Sequence, residues 1–195
     1  MVSDTAMTIR NRLRHAMDDR TATRAERRAY FFTTLYETEF DHVYAYLRYR
    51  VSNAAVAEDL ATEVFVRAWR NLDTLRNPDR AAAWLFRMAR NLVMDHYRTP
   101  LPADPLDTLR PGQHPRTESP ERLVLAGEQA ATLWECLLTL SDREREIIGL
   151  RFVAGLRHRE VSRALGISEG NVAKILHRAL QKIRVHLQSE EDCHV

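Results

Sequence analysis

Wherever apolar residues cluster in this chain they recur at three- and four-residue steps, the spacing of one face of an α-helix. Phe32, Leu35, Tyr36, Phe40, Val43 and Leu47 form the first such face. Ser52-Asn53 interrupts it with side chains suited to capping a new helix. Val56, Leu60, Val64 and Ala68 then follow at strict four-residue spacing, with Asp59, Thr62, Glu63 and Arg67 on the other side. Beyond Asn77-Pro78 the pattern predicts a third helix, from about Asp79 to Tyr97, with Leu85, Met88, Leu92 and His96 inward. Residues 30–98 show no alternation of period two, which argues against a sheet.

The second half repeats this logic with shorter elements. Leu133, Leu137 and Leu140 lead into Ser141-x-x-Glu144, a pair whose hydroxyl and carboxylate can satisfy backbone donors at a helix start. Ile147, Ile148 and Phe152 continue that helix, and Gly155 is expected to end it. A short helix from about His158 to Leu165 closes on Gly166, where a left-handed residue is wanted. Ser168 caps a last helix with Val172, Leu176, Ala179 or Leu180, Ile183 and Leu187 inward.

Glycine and proline divide the two halves. The first glycine is Gly112, and six prolines fall between Pro100 and Pro120. Such a stretch cannot be a helix interior, and it reads as a stiffened linker. The fold class is therefore all-α: two small helical domains joined by a proline-rich linker, the C-terminal one a helix-turn-helix. The expected divisions are a basic N-terminal extension over residues 1–28, a first domain over 29–99, the linker over 100–122, a second domain over 123–188 and an acidic tail over 189–195. A linker this long and polar is not expected to hold the domains in one rigid arrangement.

Composition changes this picture little. The net charge of +2 is small, so a nucleic-acid argument depends on where the charge sits. The longest apolar runs, such as Ala81 to Phe86, are far too short for a membrane span. No apolar segment follows the N-terminal arginines as in a secretory signal, and the expected compartment is the cytoplasm. Cys136 reads as a core thiol, and neither it nor Cys193 has metal-ligand spacing. No cofactor or metal is expected.

Charge placement is more informative. Two helices joined by a glycine turn, the second capped and polar on one side, is an arrangement that reads DNA. On the outer face of the final helix Asn171, Lys174, His177, Arg178 and Gln181 recur at helical spacing, all able to donate to phosphates or base edges. Ser168 and Arg159 flank them. In the first domain acidic residues (Glu37, Glu39, Asp41, Glu58, Asp59, Glu63) precede a basic stretch containing Arg67, Arg70, Arg76, Arg80, Arg87, Arg90 and Arg98. An acidic face beside a basic one suggests partners of opposite charge. Trp69, Trp84, Phe86 and Tyr97 lie among the arginines, which suits single-stranded DNA, although Trp84 and Phe86 read equally well as core.

Three segments resemble one known family. Residues 57–69, with Glu58-Asp59-Leu60 and Arg67-Ala68-Trp69, resemble the polymerase-binding segment of extracytoplasmic-function (ECF) sigma factors. Residues 84–98, from Trp84-Leu85-Phe86-Arg87 to His96-Tyr97-Arg98, resemble their promoter-melting and minus-ten-reading helix. Leu165-Gly166-Ile167-Ser168 to Val172, with Leu176-His177-Arg178-Ala179, resembles their minus-thirty-five-reading region. The resemblance covers roughly residues 32–99 and 123–187.

It implies a non-enzymatic transcription initiation factor whose partners are core RNA polymerase and promoter DNA, duplex and melted. An anti-sigma protein is a further partner the family allows. Asp59, Thr62, Glu63 and Arg67 would meet the clamp helices of the polymerase's largest subunit, and the second domain would meet its flap. Asn77, Arg80, Trp84, Arg87, Arg90, Asn91 and Arg98 would hold the melted minus-ten strand. Arg159, Ser168, Asn171, Lys174, His177 and Arg178 would contact the minus-thirty-five duplex. Two departures stand out: Thr62 replaces the usual Gln, and Asn171-Val172-Ala173-Lys174-Ile175 replaces the common Thr-Val-Lys-Ser-Arg.

A response-regulator-like helix-turn-helix activator is the competing reading, and it requires a doubly wound receiver domain in the first half. An enzyme with a helical appendage fares worse. Asp59 and Glu63 are spaced like a metal-binding pair, but no His accompanies them on that face.

Overall fold

The computed structural model describes residues 23–51, 53–98 and 135–193. The linker over 100–122, most of the N-terminal extension and Leu133 lie outside them. Among the described residues all regular structure is helical. A receiver domain has no place in an N-terminal half built this way.

Helix α1 (Arg24–Arg50) starts at a Thr23/Glu26 capping box, so the last turn of the segment assigned to the extension is already helical. Helix α2 (Ala54–Asn71) is capped by Asn53, whose side chain accepts from the amides of Ala55 and Val56. Two 3-10 turns, Leu72–Thr74 and Pro78–Arg80, lead into α3 (Ala81–Arg98). Asn77 caps the second turn, and Pro78 fills a first position where no amide hydrogen is needed.

In the other half, α4 (Asp142–Ile148) begins at the expected Ser141/Glu144 box. It runs into a π turn at Gly149–Val153, so Phe152 is 57% exposed rather than part of a continuous apolar face. Helix α5 (His158–Leu165) ends on Gly166 with φ 67°, the left-handed conformation glycine adopts without penalty. Helix α6 (Glu169–Cys193) follows.

The buried faces differ from expectation in register. On α1 the core stripe is Phe31, Leu35, Val43, Tyr46 and Leu47, while Phe32 and Phe40 are half-buried and Tyr36 is 42% exposed. On α3 it is Ala81, Leu85, Phe86, Ala89, Leu92 and Val93, with Met88 and His96 only half-buried. Phe86 is a core residue, edge-on to Tyr46 at 5.6 Å. On α6 Ala179 rather than Leu180 faces inward, Ile175 joins it, and Leu187 is exposed. Cys136 is fully buried, as expected.

The two halves also pack together. Helix α5 lies against α3 and the π turn against α1, giving one contiguous apolar core. A linker argument alone misses this, because the interface itself supplies the cohesion. At Gly149 the approach is so close that a Cβ would fall 2.5 Å from Cε1 of Tyr49. The Tyr49 hydroxyl donates to the Arg145 carbonyl at 3.2 Å.

Candidate nucleic-acid and polymerase interfaces

On α6 the candidate residues all reach solvent. Asn171, Lys174, His177 and Arg178 are exposed while Val172, Ile175, Leu176 and Ala179 anchor the opposite face. Lys174, His177 and Arg178 line a shallow concavity with Ala173. The helix is held in place by its neighbours. The Ser162 hydroxyl donates to the Ile167 carbonyl at 2.5 Å and clamps the turn. Ser168 caps the helix by accepting from the Asn171 amide at 3.2 Å, which leaves its hydroxyl hydrogen for a phosphate. Arg159 is exposed at the start of α5. Lys182 is not part of this face, since it bonds Glu144 at 2.9 Å and ties α6 to α4. Burial works against the Glu144 charge, but hydrogen bonds from Lys182 and Ser141 outweigh it and hold the carboxyl below its ordinary range.

On α3 the candidates separate into two groups. Trp84, Arg87, Asn91 and Arg98 recur at three, four and seven residues and lie on the side away from the core, Trp84 half-buried and the others exposed. Arg80 and Asn77 continue that side into the preceding loop, both exposed. The Asn77 side-chain oxygen is occupied by the Asp79 amide at 2.8 Å, so the amide nitrogen is the end left to meet a base. Arg90 does not share this stripe. It turns toward the second half, where its Nε donates to Glu146 at 2.6 Å.

The α2 candidates form a solvated surface. Asp59 and Thr62 are exposed, and Glu63 pairs with Arg67 at 2.6 Å, each about two-fifths exposed. Beside them lies a feature that sequence reasoning missed. Phe32, Tyr36 and Phe40 on α1 meet Phe65 and Trp69 on α2, with Phe32 and Trp69 at 5.0 Å and Tyr36 and Phe65 at 4.9 Å. The signal was the run Phe32, Tyr36, Phe40, Tyr44 at four-residue spacing, which was taken as part of the core face. Arg28 stacks over Trp69 at 4.6 Å and bonds Asp73 at 2.6 Å, so the end of the basic extension is docked on the first domain. Of the acidic residues in this half, Glu39 is set apart, largely buried where α1 meets α5.

Comparison with known proteins agrees with this geometry. Residues 35–99 match the sigma-70 region 2 family, and residues 136–185 match sigma-70 region 4. The chain belongs to the ECF sigma factors. It is 36% identical over 156 residues to the ECF RNA polymerase sigma factor BldN of Streptomyces coelicolor, spanning 78% of this chain but only 58% of BldN. It is 29% identical to the ECF sigma factor SigW of Bacillus subtilis, covering 80% of this chain and 89% of SigW. Among solved structures, CnrH in complex with the cytosolic domain of CnrY is similar with a TM-score of 0.61 and 25% identity, covering 92% of this chain and 97% of that one. The fold is shared with the sigma factor RpoE of Bartonella quintana in complex with the anti-sigma factor NepR, at a TM-score of 0.55 and 19% identity. In this sigma factor α1 to α3 are thus region 2, and α4 to α6 lie in region 4.

Proposed function

We propose that this sigma factor binds core RNA polymerase and directs it to promoters by reading a minus-thirty-five duplex and a melted minus-ten strand. The observation that carries the reading is the presence of two separate exposed donor faces on rigid helices: Asn171, Lys174, His177 and Arg178 on α6, and Trp84, Arg87, Asn91 and Arg98 on α3. The chemistry of each suits a different form of DNA. The α6 face has amide, ammonium, imidazole and guanidinium groups on a helix that a major groove admits. The α3 face joins guanidinium groups to an accessible indole edge, which serves phosphates and unstacked bases. Asn77 and Arg80 extend that face into the loop before the helix, where an extruded base would meet the Asn77 amide.

Asp59, Thr62, Glu63 and Arg67 are the surface we assign to the clamp helices, and region 4 docks on the flap. Neither DNA contact has to be strong by itself, because tethering both to one polymerase raises their effective concentration. The protein acts by binding and positioning rather than by catalysis, in the cytoplasm on the polymerase at the nucleoid. No helix among the described residues is long and apolar enough to cross a membrane. An anti-sigma protein is a fitting regulator, by analogy with the RpoE–NepR pair. Run-off transcription with purified core polymerase on fragmented genomic DNA tests the reading. Discrete transcripts that depend on this protein support it, and their absence with a competent core refutes it.

A further inference from the structure

The contact between the two halves carries an unusual charge balance. Glu146 of α4 is only 7% exposed and is surrounded by three guanidinium groups. Its Oε1 accepts from Nε of Arg90 at 2.6 Å and lies 3.9 Å from Nη1 of Arg50, while Oε2 accepts from Nη1 of Arg143 at 2.6 Å. Arg143 sits on the same helix as Glu146, but Arg50 and Arg90 come from α1 and α3 of region 2. One carboxylate therefore holds two cations of the other domain. Arg50 is 6% exposed, and its Nε and Nη1 have no hydrogen-bond partner. An incompletely satisfied buried guanidinium marks a site with capacity for more anionic ligand than Glu146 provides.

Arg90 is also one helical turn from Arg87 on the exposed α3 stripe, close enough for both to meet one phosphate backbone. We propose that Glu146 is an internal substitute for a DNA phosphate: in the free chain it occupies the Arg50/Arg90 anion site and withholds those cations from the promoter strand until regions 2 and 4 separate. The contact makes region 4 a competitor for part of the surface that region 2 uses on melted DNA. The polymerase, which we expect to engage the two regions at different places, then relieves the competition. The inference rests on the assignment of α3 to single-stranded DNA.

The test uses the full chain and Glu146→Gln, which keeps the shape and removes the charge. Arginine–phosphate contacts are largely indifferent to sequence, so a fluorescent mixed-sequence single strand serves as the probe. If the closed form ties up the binding surface, apparent affinity is reduced by the fraction of molecules that are open. Fluorescence anisotropy should then show E146Q binding the strand about tenfold more tightly than the parent chain, as expected if roughly a tenth of that chain is open. The gain should vanish in the double variant E146Q with Arg90→Ala. Energy transfer between dyes on α2 and α6 should fall in E146Q, reporting separation of the two halves.

Unchanged affinity in E146Q overturns the proposal, whether or not the dyes move apart. So does a gain that survives the loss of Arg90. Arg87→Ala, outside the contact, separates this failure from failure of the strand assignment. If R87A weakens strand binding while E146Q does not strengthen it, only the Glu146 proposal falls; if neither has an effect, the α3 assignment falls with it.

Discussion

Helices α3 and α6 carry similar side chains and differ in how independent their surfaces are. On α6 each candidate donor points to solvent, and the groups that fix the helix, Ser162, Ser168, Glu144 and Lys182, all belong to region 4. On α3 the exposed stripe adjoins Arg90, whose partner is Glu146 of the other domain. A helix-turn-helix can thus present a finished duplex-reading face in the free protein. The strand-binding face of region 2 is complete only when region 4 has moved. A carboxylate on the surface shows the same contrast from the acidic side. Asp59 is solvated and available to a partner, whereas Glu146 is buried and already used.

The largest effect is expected where neither domain interferes. Reversing Asp59 and Glu63 to Arg together should abolish co-purification with core polymerase while circular dichroism stays helical. Retained binding would remove the assignment of this α2 face. Next comes the interface. Gly149→Ala places a methyl group against the Tyr49 ring, which must shift and strain its bond to the Arg145 carbonyl. Overpacking of this kind costs about 1–3 kcal/mol, visible as a lower urea midpoint. Combining it with Tyr49→Ala should cancel the clash and bring the midpoint back toward that of Tyr49→Ala alone.

Comparable in size, but confined to region 4, are the α6 changes. Lys174→Ala or Arg178→Ala should cost about 1–3 kcal/mol of minus-thirty-five binding and relax preference at one position if the residue reads a base. A uniform loss over all sequences with a shallower salt dependence would mark a phosphate contact instead. No change in DNA binding for either residue would contradict the α6 assignment.

The smallest effect is a pH dependence of the domain contact. Burial, and then the charge of Glu160 on α5, raise the Glu39 carboxyl from its ordinary 4.5 to about 7. His42 on the same helix is 3.9 Å away and, when protonated, opposes that rise. Because the packed form holds the Glu39 proton more tightly, this contribution to stability is fully present below about pH 4.5 and is lost as pH rises through about 7. Glu39→Gln should flatten the dependence of the urea midpoint over that window, and an unchanged slope would contradict the assignment.

Local signals in the sequence located most of the architecture. The Ser141/Glu144 box, the Asn53 cap and Gly166 each act within four residues, so their consequences can be read without knowing what packs nearby. Face assignment fared less well because it depends on neighbours. Phe32 and Tyr36 fit the α1 stripe by spacing, yet they meet Phe65 and Trp69 at the surface while Phe31 and Tyr46 enter the core. Phe86 and Trp84 are two residues apart and indistinguishable by composition, but the helix turns one inward and leaves the other at its edge. The Arg90–Glu146 pair spans 56 residues of sequence and a proline-rich linker, and no periodicity connects them.

The account's central claim is that two DNA-reading faces work only together, on the polymerase. Permanganate footprinting on a promoter identified by run-off transcription tests this most directly. The free protein should bind the duplex weakly and leave every thymine unreactive. With core polymerase added, thymines of the minus-ten element should become reactive. Replacing Asn77, or Arg87 with Arg90, by Ala should suppress that reactivity while protection at the minus-thirty-five element remains. Tight duplex binding without polymerase, together with no reactive thymines in its presence, would contradict the account and favour a conventional helix-turn-helix activator.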